Sequence, residues 1–162
     1  MNKLKVNTIT LPPSVLNVYK PPDLPYLEKV VTAGEPCTLN TAVKWASSHK
    51  DIKFYNAYGL TETTVCAANY EFTKGLGHED FNRDIPIGKE IPGACVYLFD
   101  ELPQPVPPDV VAEIYVGVLG LSKGYIGHAS HYNTDKFIRN PLSDDMLLFK
   151  TGDYAFQDPD GT

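Results

Sequence analysis

The sequence predicts an α/β fold followed by a β-rich portion, that is, a parallel βαβ unit and then a small antiparallel sheet or a distorted β-barrel. Two observations predict it. In residues 1–80, apolar stretches of strand length alternate with a segment of helical periodicity, which is typical of parallel sheets. In residues 81–162, short β-type segments are separated by Gly, Pro and Asp, as in antiparallel sheets and barrels.

The first portion, 1–80, contains three predicted strands, at 6–11, 27–32 and 52–55. The first strand ends at Pro12 and Pro13, because proline cannot donate to a strand ladder. Thr38 is the predicted cap of a helix that runs to about residue 47. Its apolar stripe consists of Leu39, Ala42, Val43 and Ala46.

The second portion, 81–162, contains four predicted strands, at 85–88, 94–99, 112–116 and 146–150. Four prolines between 103 and 108 predict a stiff connection between two of these strands. The Asp-Pro-Asp-Gly stretch at 158–161 predicts a turn near the end of the chain.

Composition and charge exclude several classes of partner. The 162 residues carry 14 basic and 20 acidic side chains, a formal net charge of -6, without a cluster of Lys or Arg. We therefore expect no nucleic acid and no membrane as a partner. The sequence has no apolar run of membrane-spanning length and no signal-peptide core, which predicts a cytoplasmic protein. Three cysteines without metal-ligand spacing predict reduced thiols.

Residues 54–64 carry the strongest functional signal, because a strand-like stretch leads there into a polar turn that contains glycine. Open α/β sheets bind ligands at such strand ends. Tyr58 offers a flat face for a base, Thr61 and Thr63 offer hydroxyl donors, and Glu62 offers a carboxylate for Mg2+. The alternative is a capped turn between a strand and a helix.

Three further segments have the composition of a ligand site: 31–35, 113–125 and 149–153. The spaced glycines of 113–125 favour tight turns or β-bulges over a phosphate loop, because no strand-to-helix setting accompanies them. Asp153 follows a glycine and suits an acceptor for sugar hydroxyls, and its alternative is an ordinary turn aspartate.

In this order, the segments resemble the adenylation domains of nonribosomal peptide synthetases, within the adenylate-forming superfamily. Residues 56–62 match the family's Asn-Ala-Tyr-Gly-Pro-Thr-Glu motif, 112–125 are similar to its Gly-Glu-Leu…Ala-Arg-Gly-Tyr motif, and 149–153 to its Tyr-Arg-Thr-Gly-Asp motif. This chain departs from those motifs at Leu60, Ala112, Ser122, Lys123 and Lys150. The resemblance spans essentially the whole chain and implies part of the adenylate-forming core.

The resemblance implies a ligase that forms aminoacyl-AMP from ATP and an amino acid and then transfers the aminoacyl group to a phosphopantetheine carrier. It implies that Tyr58 stacks on adenine and that Asn56 lies near its exocyclic amine, with Gly34 and Ala57 also at the nucleotide. Asp153 is implied to accept hydrogen bonds from the ribose hydroxyls.

Two residues carry the implied catalytic roles. Thr61 is implied to contact the α-phosphate and Glu62 to hold Mg2+. Both roles suit the attack of a carboxylate on the α-phosphorus, in which charge gathers on oxygens and must be stabilised.

The resemblance also places six residues at the family's amino-acid pocket: Thr10, Val31, Ala33, Ala57, Val65 and Cys66. Small and apolar walls favour a large uncharged side chain, and the family combination indicates phenylalanine. Tyrosine fits less well, since only Thr10 offers its hydroxyl a partner. The alternative for all six is plain strand-end core.

The family's phosphate loop, amine-binding aspartate, hinge and catalytic lysine have no counterparts in 1–162. We therefore expect a fragment of the N-terminal core that is inactive alone. Its expected partners are an amino acid, the rest of the adenylation domain and a peptidyl carrier protein, and exposed edges favour self-association. The alternatives are a fragment of an acyl-CoA or aryl-acid ligase, and a noncatalytic nucleotide-binding or interaction module.

Overall fold

The computed structural model describes residues 2–21, 24–48, 52–73, 84–143 and 146–162. The chain divides into two compact units. The first consists of residues 1–58 and 69–88, and the second of 59–68 and 89–162. The expected boundary at residue 80 lies outside the described residues.

The first unit is built on a sheet with the strand order β1-β2-β3-β4. Its elements are β1 (Thr8–Thr10), α1 (Pro13–Val18), β2 (Lys29–Ala33), α2 (Leu39–Ala46), β3 (Lys53–Tyr58) and β4 (Ala68–Phe72), of which β4 enters the unit at Asn69. The strands β1, β2 and β3 are parallel, so the predicted βαβ arrangement is confirmed.

One face of this sheet and both helices form the core of the first unit. Ile9, Val30 and Phe54 lie on neighbouring strands and are buried with residues of α1 and α2. Thr38 caps α2 as predicted, because its hydroxyl accepts a hydrogen bond from the Thr41 amide at 3.4 Å. Trp45 links the two helices, since its indole N–H on α2 donates to the Leu16 carbonyl of α1 at 2.9 Å.

The helix α1 was missed by sequence analysis, which used Pro12 and Pro13 only as the end of a strand. Proline also suits the first turn of a helix, where its missing N–H costs nothing. The helix begins at Pro13, and the amide and hydroxyl of Ser14 both donate to the Glu35 carboxylate at 3.0 Å.

The predicted strand at 85–88 was wrong. Asp84 makes an isolated bridge with Thr38, and the Ile85 amide donates to the Cys37 carbonyl at 2.8 Å, but no strand follows. Pro86 has no N–H to donate, and Gly88 has a φ of +83°. The chain therefore leaves the ladder after one bond.

The second unit contains a four-stranded antiparallel sheet with the order β6-β7-β9-β8. Its elements are β5 (Lys89–Glu90), β6 (Ala94–Phe99), β7 (Ala112–Val118), α3 (Asn133–Lys136), β8 (Phe137–Arg139) and β9 (Leu147–Ala155). Within the described ranges β6 and β8 form its two edges. Of the two predicted alternatives, the antiparallel sheet is therefore correct and the barrel is not.

The proline-rich connection follows β6 and covers part of its edge. Pro105 bridges to Phe99, and the Val106 amide donates to the Leu98 carbonyl at 3.2 Å. The Asp100 carboxylate fixes the bend by accepting from the Leu102 and Gln104 amides, each at 2.9 Å. Proline beside an edge strand blocks further pairing.

None of the helices in the described ranges has the length and apolar character that crossing a membrane requires.

Candidate nucleotide site

In the first unit, the predicted ligand residues lie at the carboxyl ends of two parallel strands. Ala33 ends β2 and pairs with Ala57 near the end of β3. Gly34 follows with a φ of +88°, a conformation that glycine adopts without strain, and Tyr58 ends β3. Open α/β sheets bind ligands at these strand ends.

Asn56 is 5% exposed, and its side chain is only partly satisfied. The amide nitrogen donates to the Pro86 carbonyl at 2.8 Å. The amide oxygen accepts no hydrogen bond from any of the described residues. A buried carbonyl oxygen without a donor is costly, and an exocyclic amine is a chemical match for it.

Four of the six predicted pocket residues share one face of the first unit's sheet. Thr10 pairs with Val31, and Ala33, two residues further along β2, pairs with Ala57. Side chains two apart on a strand, and paired residues on neighbouring strands, point to the same face. This face is opposite the one that holds Phe54 against the helices. The remaining two, Val65 and Cys66, belong to the second unit.

In the second unit, residues Thr61–Thr63 form a tight 3-10 turn. The Thr63 hydroxyl is buried there, accepting from the Leu60 amide at 2.9 Å and donating to the Leu60 carbonyl at 3.1 Å. The Thr61 side chain is exposed and makes no hydrogen bond within the described residues. Of the two hydroxyls in this turn, Thr61 alone is therefore available to a ligand, and Thr63 has a structural role.

Glu62 is held at both its side chain and its backbone. Its carboxylate Oε1 accepts a hydrogen bond from the Tyr125 hydroxyl at 2.5 Å. Its backbone carbonyl accepts from the Ser122 amide at 2.8 Å. Burial, followed by the hydrogen bond and the negative charge of Glu62, raises the pKa of Tyr125 to about 12. The phenol therefore stays protonated at neutral pH and donates a hydrogen bond.

Tyr125 ends one of the family-like motifs, but its position in the sequence predicts no role for it. The residue lies 63 positions from Glu62, so no local spacing could have paired them.

The chain after this turn is strained. Thr64 and Val65 have φ values of 57° and 73°, which β-branched residues rarely adopt. Gly59 is required nearby, since a Cβ there would lie 2.5 Å from the Val65 carbonyl oxygen. Strain of this kind persists only where the surroundings impose it, and it is common at ligand sites. Val65 is exposed and Cys66 half-buried.

Asp153 lies exposed on β9, and an irregularity in the strand fixes its backbone. Gly152 has a φ of +87°, and its amide donates to Glu113 Oε1 at 3.0 Å. The Asp153 amide donates to the Thr151 hydroxyl at 3.0 Å, and that hydroxyl donates to the Ile114 carbonyl at 2.7 Å. The β7–β9 register shifts at this point, as in a β-bulge, and bulges redirect side chains.

Lys150 occupies the position of the family's arginine and contacts the same carboxylate. Its Nζ lies 3.4 Å from Glu113 Oε2. Burial lowers the pKa of Lys150, but its electrostatic interactions and hydrogen bonds with Tyr115 and Glu113 outweigh that effect, so the pKa is raised. Glu113 thus links Lys150 to the Gly152 amide and holds the β9 bulge, a role that sequence analysis did not assign.

The described residues contain no cluster of three or more His, Cys, Asp or Glu side chains that could enclose a metal ion. Mg2+ needs no such cluster, because it commonly takes one or two protein carboxylates together with water and substrate phosphates. Glu62, with one carboxylate oxygen outside its hydrogen bond to Tyr125, has the donor chemistry for that arrangement.

A model of the AMP-binding enzyme family matches residues 1–126. The chain belongs to the AMP-binding enzymes. Two curated relatives of this AMP-binding chain are bacitracin synthase 3 of Bacillus licheniformis, 37% identical over 99% of the chain, and novobiocin biosynthesis protein H of Streptomyces niveus, 34% identical over 97%. The chain spans 2% of the first relative's length and 25% of the second's.

Solved structures agree with the fold of this AMP-binding chain. PA1221, a nonribosomal peptide synthetase protein containing adenylation and PCP domains, is 28% identical with a TM-score of 0.82, over 98% of this chain and 32% of its own. The N-terminal subdomain of Klebsiella oxytoca NpsA, in complex with 3-hydroxybenzoyl-AMSN, has the same fold at 21% identity and a TM-score of 0.84, over 99% of this chain and 39% of its own. The resemblance to adenylation domains of nonribosomal peptide synthetases is confirmed.

Proposed function

We propose that this chain binds the adenine nucleotide in an amino-acid-activating adenylation domain. The reaction joins ATP and an amino acid to aminoacyl-AMP, releases pyrophosphate, and passes the aminoacyl group as a thioester to a phosphopantetheine carrier. The observation that carries the proposal is the turn Thr61–Thr63, in which the Thr61 hydroxyl makes no hydrogen bond within the described residues and the neighbouring Glu62 carboxylate is oriented by Tyr125. The match to the AMP-binding family supports it.

The nucleotide contacts are proposed residue by residue. Tyr58 stacks on the adenine, and the amide oxygen of buried Asn56, which accepts no hydrogen bond from the described residues, accepts from the exocyclic amine. Gly34 and Ala57 line the same strand ends, where a glycine permits close approach of a ligand to the backbone. Asp153, exposed on the bulge of β9, accepts from the two ribose hydroxyls.

The phosphate chemistry needs charge stabilisation, since negative charge gathers on oxygen as the carboxylate attacks the α-phosphorus. The Thr61 hydroxyl donates a hydrogen bond to an α-phosphate oxygen. Glu62 holds Mg2+, which when bound neutralises part of the phosphate charge. Both side chains stand on one short turn, so they keep a fixed spacing.

The amino acid is proposed to be phenylalanine or another large apolar residue. Val31 and Ala33 are half-buried on the sheet face opposite the helices, next to Ala57, and Thr10 is the only polar residue of the six. A charged side chain against such walls loses hydration without gaining a partner. For Val65 and Cys66, which belong to the second unit, the role in binding the amino acid stays a prediction.

The domain is proposed to work in the cytoplasm with a peptidyl carrier protein. PA1221 contains both an adenylation and a PCP domain, which supports the carrier as a partner. Cys37, Cys66 and Cys95 are free thiols, as expected in a reducing compartment.

The function is tested by calorimetric titration of ATP with Mg2+ into the wild-type chain and into Asp153→Asn. Losing the ribose contact is expected to weaken binding about tenfold or more, because hydrogen bonds to charged groups are worth roughly 1.5–3 kcal/mol. The control is Asp160→Asn, which removes the same charge from another exposed carboxylate of the second unit. Equal affinity of Asp153→Asn and wild type contradicts the assigned role.

A second titration, with phenylalanine, lysine and benzoate into the ATP-loaded chain, tests the pocket. Phenylalanine is expected to bind, and lysine to give no heat because its ammonium has no partner on that face. Binding of benzoate in preference to phenylalanine would favour the aryl-acid ligase.

ATP–pyrophosphate exchange by this chain alone is expected to be absent, since no residue in 1–162 matches the family's catalytic lysine.

A further inference from the structure

We propose that Tyr125 is a positioning residue for Glu62, holding its carboxylate in the orientation in which one oxygen faces a divalent cation. This inference rests on the proposed function, in which Glu62 takes Mg2+. Tyr125 itself touches neither metal nor substrate. It acts through the hydrogen bond from its hydroxyl to Glu62 Oε1.

The segment 120–125 makes three hydrogen bonds to residues 62–64, in and directly after the turn Thr61–Thr63; this stretch is called the Glu62 turn below. The Tyr125 hydroxyl donates to the Glu62 carboxylate, and the Ser122 amide donates to the Glu62 carbonyl. The Thr64 hydroxyl donates to the Gly120 carbonyl. Glycine suits position 120, because a Cβ there would lie 2.6 Å from the Thr64 hydroxyl oxygen. Here the glycine allows residues 120–125 to pack closely against the turn.

Tyr125 is itself fixed by a second residue, Asn133. The Asn133 side-chain oxygen accepts from the Tyr125 amide at 2.6 Å, and its side-chain nitrogen donates to the Tyr125 carbonyl at 3.0 Å. Gly124 makes room for this pairing, since a Cβ there would lie 2.8 Å from the Asn133 oxygen. The Tyr125 ring packs edge-on against Phe137, with 5.8 Å between ring centroids. These contacts fix the backbone and the ring of Tyr125, so its hydroxyl keeps its position at Glu62.

The hydrogen bond from Tyr125 occupies one oxygen of the Glu62 carboxylate and leaves the other oxygen available to a cation. Among the described residues, Tyr125 is the only side chain that hydrogen-bonds to the Glu62 carboxylate, and it binds Oε1. With Oε1 held, the carboxylate cannot rotate freely, and Oε2 keeps a fixed direction. Partners of this kind orient ligating carboxylates, and removing one commonly costs roughly 10–100-fold in metal affinity.

A purely structural role for Tyr125 is the competing explanation, because its ring also packs. The variant Tyr125→Phe separates the two, since it keeps the ring against Phe137 and removes only the hydroxyl. The matched control is Tyr132→Phe, in which a phenol hydroxyl is lost that makes no hydrogen bond within the described residues.

The first measurement follows the carbon signal of the Tyr125 phenol at neutral pH and needs no ligand. The chain is labelled with tyrosine carrying 13C at Cζ, and the Tyr125 signal is assigned by its loss in Tyr125→Phe. In Glu62→Gln the Tyr125 signal is expected to shift, because a neutral amide replaces the charged acceptor of its hydrogen bond. An unchanged Tyr125 signal in Glu62→Gln overturns the proposal.

The second measurement is the Mg2+ concentration at which ATP binding is half-stimulated. Tyr125→Phe is expected to raise this midpoint roughly 10–100-fold, to leave Mg2+-free ATP binding at the wild-type level, and to differ in this from Tyr132→Phe. An unchanged midpoint in Tyr125→Phe overturns the positioning role. If the wild-type chain binds no ATP, the proposed function fails, and the Tyr125 signal in Glu62→Gln still decides whether the two side chains are coupled.

Discussion

Single residues decide whether the Glu62 turn can exist. Gly59 and Gly120 stand where a Cβ would lie 2.5 Å and 2.6 Å from atoms of Val65 and Thr64, respectively. Thr64 and Val65 also have positive φ angles, so their backbone is strained as well as crowded. The strain is balanced by contacts to residues 120–125, which lie far away in the sequence.

Gly120→Ala is expected to destabilise the chain by about 1–3 kcal/mol, because the new methyl group meets the Thr64 side chain. In the double variant Gly120→Ala/Thr64→Ala the obstructing hydroxyl is absent, so the total loss is expected to fall below the sum of the single losses. Urea unfolding of wild type, both single variants and the double variant gives the coupling. Additivity within roughly 0.5 kcal/mol would contradict the close approach.

At the scale of the element, β9 shows how a strand presents a functional side chain. A regular strand would bury alternate residues. The bulge at Gly152, tied to Glu113, instead leaves Asp153 exposed and fixed by its own amide. The ion pair between Glu113 and Lys150 stabilises the bulge, and the Glu113 side chain is only 11% exposed.

Lys150→Met removes the counter-charge of the nearly buried Glu113. We expect a loss of about 1–2 kcal/mol, smaller than for a fully buried pair because Lys150 is 41% exposed. The control Lys53→Met breaks the exposed pair with Glu71, at 58% and 50% exposure, and is expected to change the unfolding midpoint little. Equal shifts in the two urea midpoints would show that Glu113 does not depend on Lys150.

Elements with strong local signals were predictable, and elements without them were not. The strand β6 coincides with the predicted 94–99, since turn residues bound an apolar run on both sides, and α2 begins after its predicted cap Thr38. The three-residue strand β8 was missed because it is too short for a periodicity. At 85–88, apolar residues predicted a strand that Pro86 and Gly88 prevent.

At the scale of the whole molecule, the motif of residues 56–62 crosses from the first unit to the second between Tyr58 and Gly59. The sequence could predict its residues because the motif is contiguous and ordered with 149–153. It could not predict which residues hold them in place, because the hydrogen-bond partners come from distant positions, such as Tyr125 for Glu62 and Pro86 for Asn56.

Self-association through sheet edges stays a prediction, which light scattering tests.

The function proposed for this chain is the binding of an adenine nucleotide through Gly34, Tyr58, Asp153 and their neighbours. The most direct measurement is a two-dimensional amide NMR titration of the 15N-labelled chain with ATP and Mg2+. The amide signals of Gly34, Tyr58, Gly152 and Asp153 are expected to shift with one common dissociation constant, while that of Val106 in the proline-rich connection stays in place. Saturating ATP without shifts at those four amides, or with shifts only elsewhere, would contradict nucleotide binding through these residues.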